Sequence, residues 1–299
     1  MTEEKKKPFF TRGRLNVGLA VVATLFVILA NSAVWFTRNI FDTKRFVDIS
    51  TSAVLSQDSR EAIAGSITDK LLGDRPVLRA IAGSKSTKLI AGLLDTDISR
   101  TVFTKTTTTL QIAVTSKNPK DIAFDLSGIK QQVKLVAELV ARISTSDQGT
   151  ETLNVDKIPD KLVLLDASKL PNIYTTGLVL MWLGPIFLLS ALAMILIPLY
   201  KLRNERKVLI RTLRQQSAIL SLGSVVALSV GPLMRPPVLA NVTDENMRIV
   251  VSNVYDAFIT KFNTQTLVIA AVALTVLIAS YLIPLIVSAV RQTRKTISS

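Results

Sequence analysis

The chain has 299 residues, 48% of them hydrophobic and 19% charged, with a mean hydropathy of +0.40 and a net charge of +14. Its apolar residues are clustered rather than periodic, a pattern that points to a bilayer and away from an ordinary soluble domain. Cysteine and histidine are both absent, which excludes disulfides, thiolate nucleophiles, imidazole bases and zinc sites built on sulfur or nitrogen.

Residues 1–14 carry Lys5, Lys6, Lys7, Arg12 and Arg14 against Glu3 and Glu4 and read as a basic cytoplasmic tail. Residues 15–35 are apolar and free of acidic or basic side chains. Crossing about 30 Å of hydrocarbon at about 1.5 Å per helical residue takes about 20 residues, so this run is a first transmembrane helix. Ala30 and Ser32 could serve a signal peptidase, which is the competing reading. The run is longer than a signal-peptide centre, however, and Trp35-Phe36 follow it like an interfacial anchor, so a retained span is expected. Beyond it, Asp42 or Thr43 can cap a helix starting at Lys44, with Phe46, Ile49 and Ala53 at helical spacing.

Residues 36–175 are expected to form one extracytoplasmic domain, small, helix-rich and α+β in class. Asp58-Ser59-Arg60-Glu61 resembles a capping box, with Ile63, Ile67 and Leu71 on one face behind it and Gly73 as a stop. Leu89, Ile90, Leu93 and Leu94 suggest a further helix. Phe103, Leu110 and Val114 suggest another, although its threonines, Thr104 and Thr106–Thr109, have stiff branched side chains and leave a strand open there. After Asn118-Pro119, the alternation of Ile122, Phe124 and Leu126 predicts a strand, and Val133, Val136, Val140 and Ile143 a helix. Ser144–Thr150 reads as a loop, Leu153 and Val155 as a short strand, and Lys161–Leu165 as another.

Residues 177–199 form a second apolar run, 216–234 a weaker third that ends in Gly231-Pro232, and 267–290 a fourth, none with Asp, Glu, Lys or Arg. Between the second and third lies a basic linker, residues 200–215, with Lys201, Arg203, Arg206, Lys207, Arg211 and Arg214 against Glu205. The tail, residues 291–299, adds Arg291, Arg294 and Lys295. These three flanks hold most of the net charge, and basic residues near span ends stay on the cytoplasmic side. The expected product is therefore a multi-pass plasma-membrane protein with both termini cytoplasmic and residues 36–175 and 235–266 outside. The linker cations are candidate contacts for anionic lipid, with simple topological bias as the plainer reading. In 235–266, Val251, Tyr255, Phe258 and Phe262 fall along one face of an amphipathic helix and form a candidate outer interaction face. Asn241-Val242-Thr243 fits a glycosylation sequon but reads as the loop before that helix.

The exit of the first span, with Trp35, Arg38, Phe41-Asp42-Thr43 and Phe46, resembles that of a family of uncharacterised actinobacterial integral membrane proteins. The similarity continues through KLVLLDASKL, the linker RNERKVLIRTL and the amphipathic VVSNVYDAFITKF. It implies a four-span topology with an extracytoplasmic domain after the first span, and it implies no reaction. Arg203 and Arg206 are separated by Asn204-Glu205, where family linkers often open with paired arginines.

No residue set predicts catalysis, a cofactor or a metal. Ser127-Gly128-Ile129-Lys130 has a serine–lysine spacing but lacks the partner motifs of penicillin-recognising enzymes, so it reads as a turn and cap. Asp95 and Asp97 lie on a helix-linking turn and read as caps. Gly83-Ser84-Lys85-Ser86 lacks the upstream glycine of a phosphate loop. Ser217, Ser221 and Ser224 form a small polar stripe on the third span that suits close packing or a pore lining. The expected function is non-enzymatic: an envelope binding or assembly protein whose partners are the bilayer and an envelope protein or lipid, not nucleic acid. The alternative is a small transporter or oligomeric channel component, and a membrane-bound hydrolase ranks behind both.

Overall fold

The computed structural model describes residues 12–72, 76–117, 122–125, 134, 161–165, 173–240 and 242–297. Its elements in chain order are α1 (Arg12–Phe36), a π-helical turn (Thr37–Phe41), α2 (Thr43–Val54), α3 (Gln57–Leu72), α4 (Pro76–Leu93), α5 (Asp97–Thr115), β1 (Ile122–Asp125), β2 (Lys161–Leu165), α6 (Ile173–Lys201), α7 (Arg206–Ala240) and α8 (Glu245–Ile297). Four helical stretches are long and apolar enough to cross a membrane: Asn16–Phe41, Tyr174–Lys201, Arg206–Ala240 and Glu245–Val287. The chain is on this ground a multi-pass membrane protein.

The chain divides into two compact units. One, the span unit, comprises Met1–Trp35, Leu180–Gly231 and Lys261–Ser299; the other, the helical unit, comprises Phe36–Val179 and Pro232–Thr260.

In the span unit the large apolar side chains point out and the small and polar ones point in. On α1, Ala20, Ala23, Ala30 and Ala33 are buried while Val21, Val22, Leu25 and Leu29 are exposed. On α7, Ser217, Ser224 and Ala227 are buried while Leu222, Val225 and Val226 are exposed. On α8, Thr266, Ala273 and Ser280 are buried while Leu267, Val268 and Leu285 are exposed. Lipid tails are as apolar as leucine, so a membrane bundle gains nothing by hiding large side chains and gains van der Waals contact by bringing backbones close through small ones. Gly223 shows how close: a Cβ there would overlap Thr24 of α1. Likewise a Cβ on Gly184 would stand 3.1 Å from that of Ala33. Phe26 and Phe187 add a tilted ring pair at 5.4 Å.

The helical unit begins at the π-helical turn. Asp42 ends that turn and caps α2, its carboxylate accepting from the Arg45 N–H at 3.0 Å, so the expected cap is in place and α2 starts one residue before Lys44. Gln111 of α5 secures the turn by donating to the carbonyls of Ile40 (3.2 Å) and Phe41 (3.4 Å) while accepting from the Thr43 hydroxyl at 3.1 Å. α3 packs on α4 and α2 on α5. Asp58 lies in the first turn of α3 rather than at its cap, because the helix already starts at Gln57; the neighbouring Ser59 is fully buried. Ile63 and Ile67 are only half-buried, and Ala62, Ala64 and Thr68 take the innermost positions on α3. Phe103, Ile90 and Leu94 are the largest fully buried side chains of this unit.

The threonine-rich stretch is helical. Three of its hydroxyls return to a carbonyl one turn back, Thr107 to Phe103 (2.8 Å), Thr108 to Thr104 (2.7 Å) and Thr109 to Lys105 (3.0 Å). These bonds use up the polar group that would otherwise compete with the helix.

β1 pairs antiparallel with β2, with Ala123 opposite Val163, Phe124 opposite Leu162 and Asp125 opposite Lys161. The strands expected at these positions therefore exist, but the α+β fold class does not hold. Two strands make a ribbon and not a layer, and a sheet needs more strands or a broad packed face to carry a core. The described part of 36–175 is a helical unit, and helices supply its core. The strand expected at Leu153 and Val155, the helix from Val133 and the Ser127–Lys130 turn lie outside the described residues.

Two boundaries also differ. α7 continues past Gly231 through Pro232, Pro236 and Pro237 to Ala240, and α8 runs unbroken from the amphipathic segment into the fourth span. Asp244 caps α8 by accepting from the Met247 N–H at 3.0 Å.

Candidate functional site

The basic linker is built by the end of α6 and the start of α7. The Leu202 N–H donates to the Pro198 carbonyl at 3.0 Å, Glu205 N–H to Leu202 at 2.9 Å, and α7 opens at Arg206. Lys201, Arg203, Arg206, Lys207 and Arg211 are all exposed. Arg203 lays its guanidinium over the Tyr200 ring, 4.5 Å from the centroid, an arrangement that holds a cation and an aromatic ring at one level. Five exposed cations against one carboxylate, on a short turn joining two apolar helices, suit the phosphate groups of an anionic leaflet.

Arg214 is different. It lies half-buried in the span unit with its guanidinium 3.8 Å from the Tyr281 ring centroid, and its Nη2 donates to the Ser280 carbonyl at 2.9 Å. In a helix that carbonyl would accept from the N–H four residues later, which here belongs to Pro284 and does not exist. Arg214 thus supplies from α7 the hydrogen bond that α8 cannot make for itself. Of the six linker cations singled out in the sequence, this one clasps two helices together and the other five face outward.

The span-three serines pack inside the unit. Ser217 and Ser224 are buried, and the Ser224 hydroxyl donates to the Leu220 carbonyl at 2.9 Å. Ser221 Oγ and Gln216 Oε1 are buried with no protein partner. On α1, Asn31 donates to Thr266 of α8 at 3.0 Å.

The amphipathic face is largely covered within the chain. In the helical unit, Phe258 is buried and its ring stands 5.4 Å from that of Phe46, while Val251 and Tyr255 are half-buried. In the span unit, Phe262 is buried edge-on against Trp35 at 5.7 Å. Beside Phe258, Asn253 donates to Ser59 at 2.9 Å and to Ser56 at 3.4 Å, and Asn246 lies against Gly65. Arg235 pairs with Asp256 at 2.8 Å and also donates to Ser252 at 2.6 Å. The segment before the fourth span and the segment after the first are thereby joined in one unit.

No family model, curated protein or solved structure matches this chain. Asp95 pairs with Arg60, and Asp97 lies in the first turn of α5 behind the Thr96 cap. Among the described residues, no group of three or more acidic side chains gathers as metal ligands would. Ser84 and Lys85 lie exposed in mid-helix on α4, without the loop that would hold a phosphate. Asn253, Gln111 and Asn31 escaped the sequence reading, and Arg214, by sequence a candidate contact for anionic lipid, is instead a clasp between helices. The missing amide at Pro284 was a legible sign that Ser280 needs a donor, but nothing in the sequence pointed to Arg214 as that donor.

Proposed function

We propose that this chain is a non-enzymatic envelope protein of the plasma membrane. It crosses the bilayer four times with both termini cytoplasmic and presents its helical unit outside for binding or assembly. The observation that carries the reading is the joining of residues 36–179 and 232–260 in one compact unit through Phe46–Phe258 and Asn253–Ser59. In a four-span chain these two segments lie on the same side of the membrane, and the balance of basic residues assigns the opposite side to the cytosol. The exposed linker cations then meet the anionic inner leaflet. The resemblance to the actinobacterial membrane family agrees with this arrangement.

The helical unit exposes one face of α5, with Ile98 and Ile112 at its two ends and Lys105 between them. A photoreactive residue placed at Ile112 of the full-length protein in intact cells tests the proposal. A defined crosslinked envelope protein, absent when the same group replaces Asn204, is the expected result. Crosslinks to lipid and to copies of the chain alone would overturn the assembly reading. The second reading, a transporter or channel component, draws on the unpaired polar atoms of Ser221 and Gln216 inside the spans. It predicts solute flux in proteoliposomes that is lost when Ser221 is replaced by Phe.

A further inference from the structure

The span unit contains one polar pair whose hydrogen bonding fixes the direction in which an unsatisfied atom faces. Thr266 is buried, and its hydroxyl proton goes to the Phe262 carbonyl at 2.9 Å. A hydroxyl has a single proton, so toward Asn31 the Thr266 oxygen can only accept. Asn31 must therefore present its NH2 group to Thr266, at 3.0 Å, and turn its carbonyl oxygen away. That orientation follows from the bonding network and not from the ambiguity of an amide. Asn31 is 6% exposed, and its Oδ1 has no protein partner.

A second orphan lies close by. Asn263 is three residues before Thr266 on α8, so the two are neighbours on one side of that helix. Two contacts between α1 and α8 bracket it, Asn31 with Thr266 and, one turn along, Trp35 with Phe262. Asn263 Oδ1 is also buried without a partner. Two amide oxygens, the strongest neutral acceptors a side chain offers, are thus buried without a partner in the span unit, one on α1 beside Thr266 and one on α8 a turn from it.

The geometry points to a buried acceptor site at Asn31 and Asn263 that takes a small O–H donor. The guest is neutral. The four membrane-length stretches carry two carboxylates, Glu245 and Asp256, and Asp256, two turns before Asn263, is already paired with Arg235; burying an unpaired charge costs far more than burying a hydroxyl. Water and the hydroxyl of a lipid headgroup share the required chemistry. An acceptor buried without a partner loses the hydrogen bond it makes in water, and such a guest restores it. This inference goes beyond the proposed function and stands or falls independently of it.

The test uses the full chain in lipid nanodiscs, with asparagine labelled at its side-chain nitrogen. Magnetisation transfer to the Asn31 side-chain NH2 is measured in ordinary and in deuterated lipid. A cross-peak at the water frequency identifies bound water, and one that disappears with deuterated lipid identifies a headgroup; either supports the site. Asn263→Leu removes one of the two acceptors, and loss or marked weakening of the cross-peak is expected in that variant. Contact of the Asn31 side chain with protein protons alone, in wild-type protein that is folded, would overturn the inference.

Discussion

Pro284 removes a backbone donor from a helix in a setting with no water to replace it, and Arg214 restores the bond from the neighbouring helix. The two residues should therefore be energetically coupled. Arg214→Ala is expected to lower stability by about 1–3 kcal/mol by leaving the Ser280 carbonyl unpaired. In a Pro284→Ala background the helix recovers its own N–H, and the same substitution should cost clearly less in a thermal or denaturant titration of the purified protein. Equal costs in both backgrounds would show that Arg214 acts in some other way. Glycine gives a second residue-scale contrast. Gly223→Leu drives a side chain into Thr24 and should cost about 1–3 kcal/mol, whereas Gly18→Ala meets no atom within 4 Å and should be neutral or stabilising. Of the residues that matter most in the candidate sites, the sequence disclosed chemistry without partners. Arg214 looks like its five basic neighbours until the fold brings Ser280 and Tyr281 beside it.

At the scale of elements, the four spans were legible because composition alone decides whether about 20 residues tolerate hydrocarbon. Their ends were not legible. Hydropathy marks where polarity changes, while a helix stops only where its backbone bonding stops, and α7 passes Gly231 and three prolines before ending at Ala240. In the same way the amphipathic segment and the fourth span are one helix, because no glycine or proline separates them. The helix preference of Thr104–Thr109 depends on hydroxyl-to-carbonyl bonds that propensity scales average away. One of these threonines also joins two helices: Thr107 and Thr51 share a hydrogen bond of 3.2 Å. Thr107→Val keeps the shape but strands the buried Thr51 hydroxyl, and an expected loss of about 1–3 kcal/mol can be read from the unfolding midpoint. Thr109→Val, on the exposed side of α5, should change that midpoint little. The α+β expectation failed because alternation identifies a strand without saying how many strands will meet, and among the described residues only β1 and β2 do.

For the whole molecule, the central claim is that two segments far apart in sequence close into one unit on the outer side of a four-span chain. Local pattern gave each segment its helical character, but the contact of Phe46 with Phe258 and of Ser59 with Asn253 spans about 200 residues and carries no local signal. Lacking cysteine, the chain allows a single introduced thiol to report its own position without background. Lys105 of α5 and Asn204 of the basic turn are both exposed, so neither substitution disturbs packing. The most direct measurement is labelling of Lys105→Cys and Asn204→Cys by a membrane-impermeant maleimide in intact cells. The account predicts that Lys105→Cys reacts at once and that Asn204→Cys reacts only after the cells are opened. Labelling of Asn204→Cys in intact cells, with Lys105→Cys protected until lysis, would contradict it.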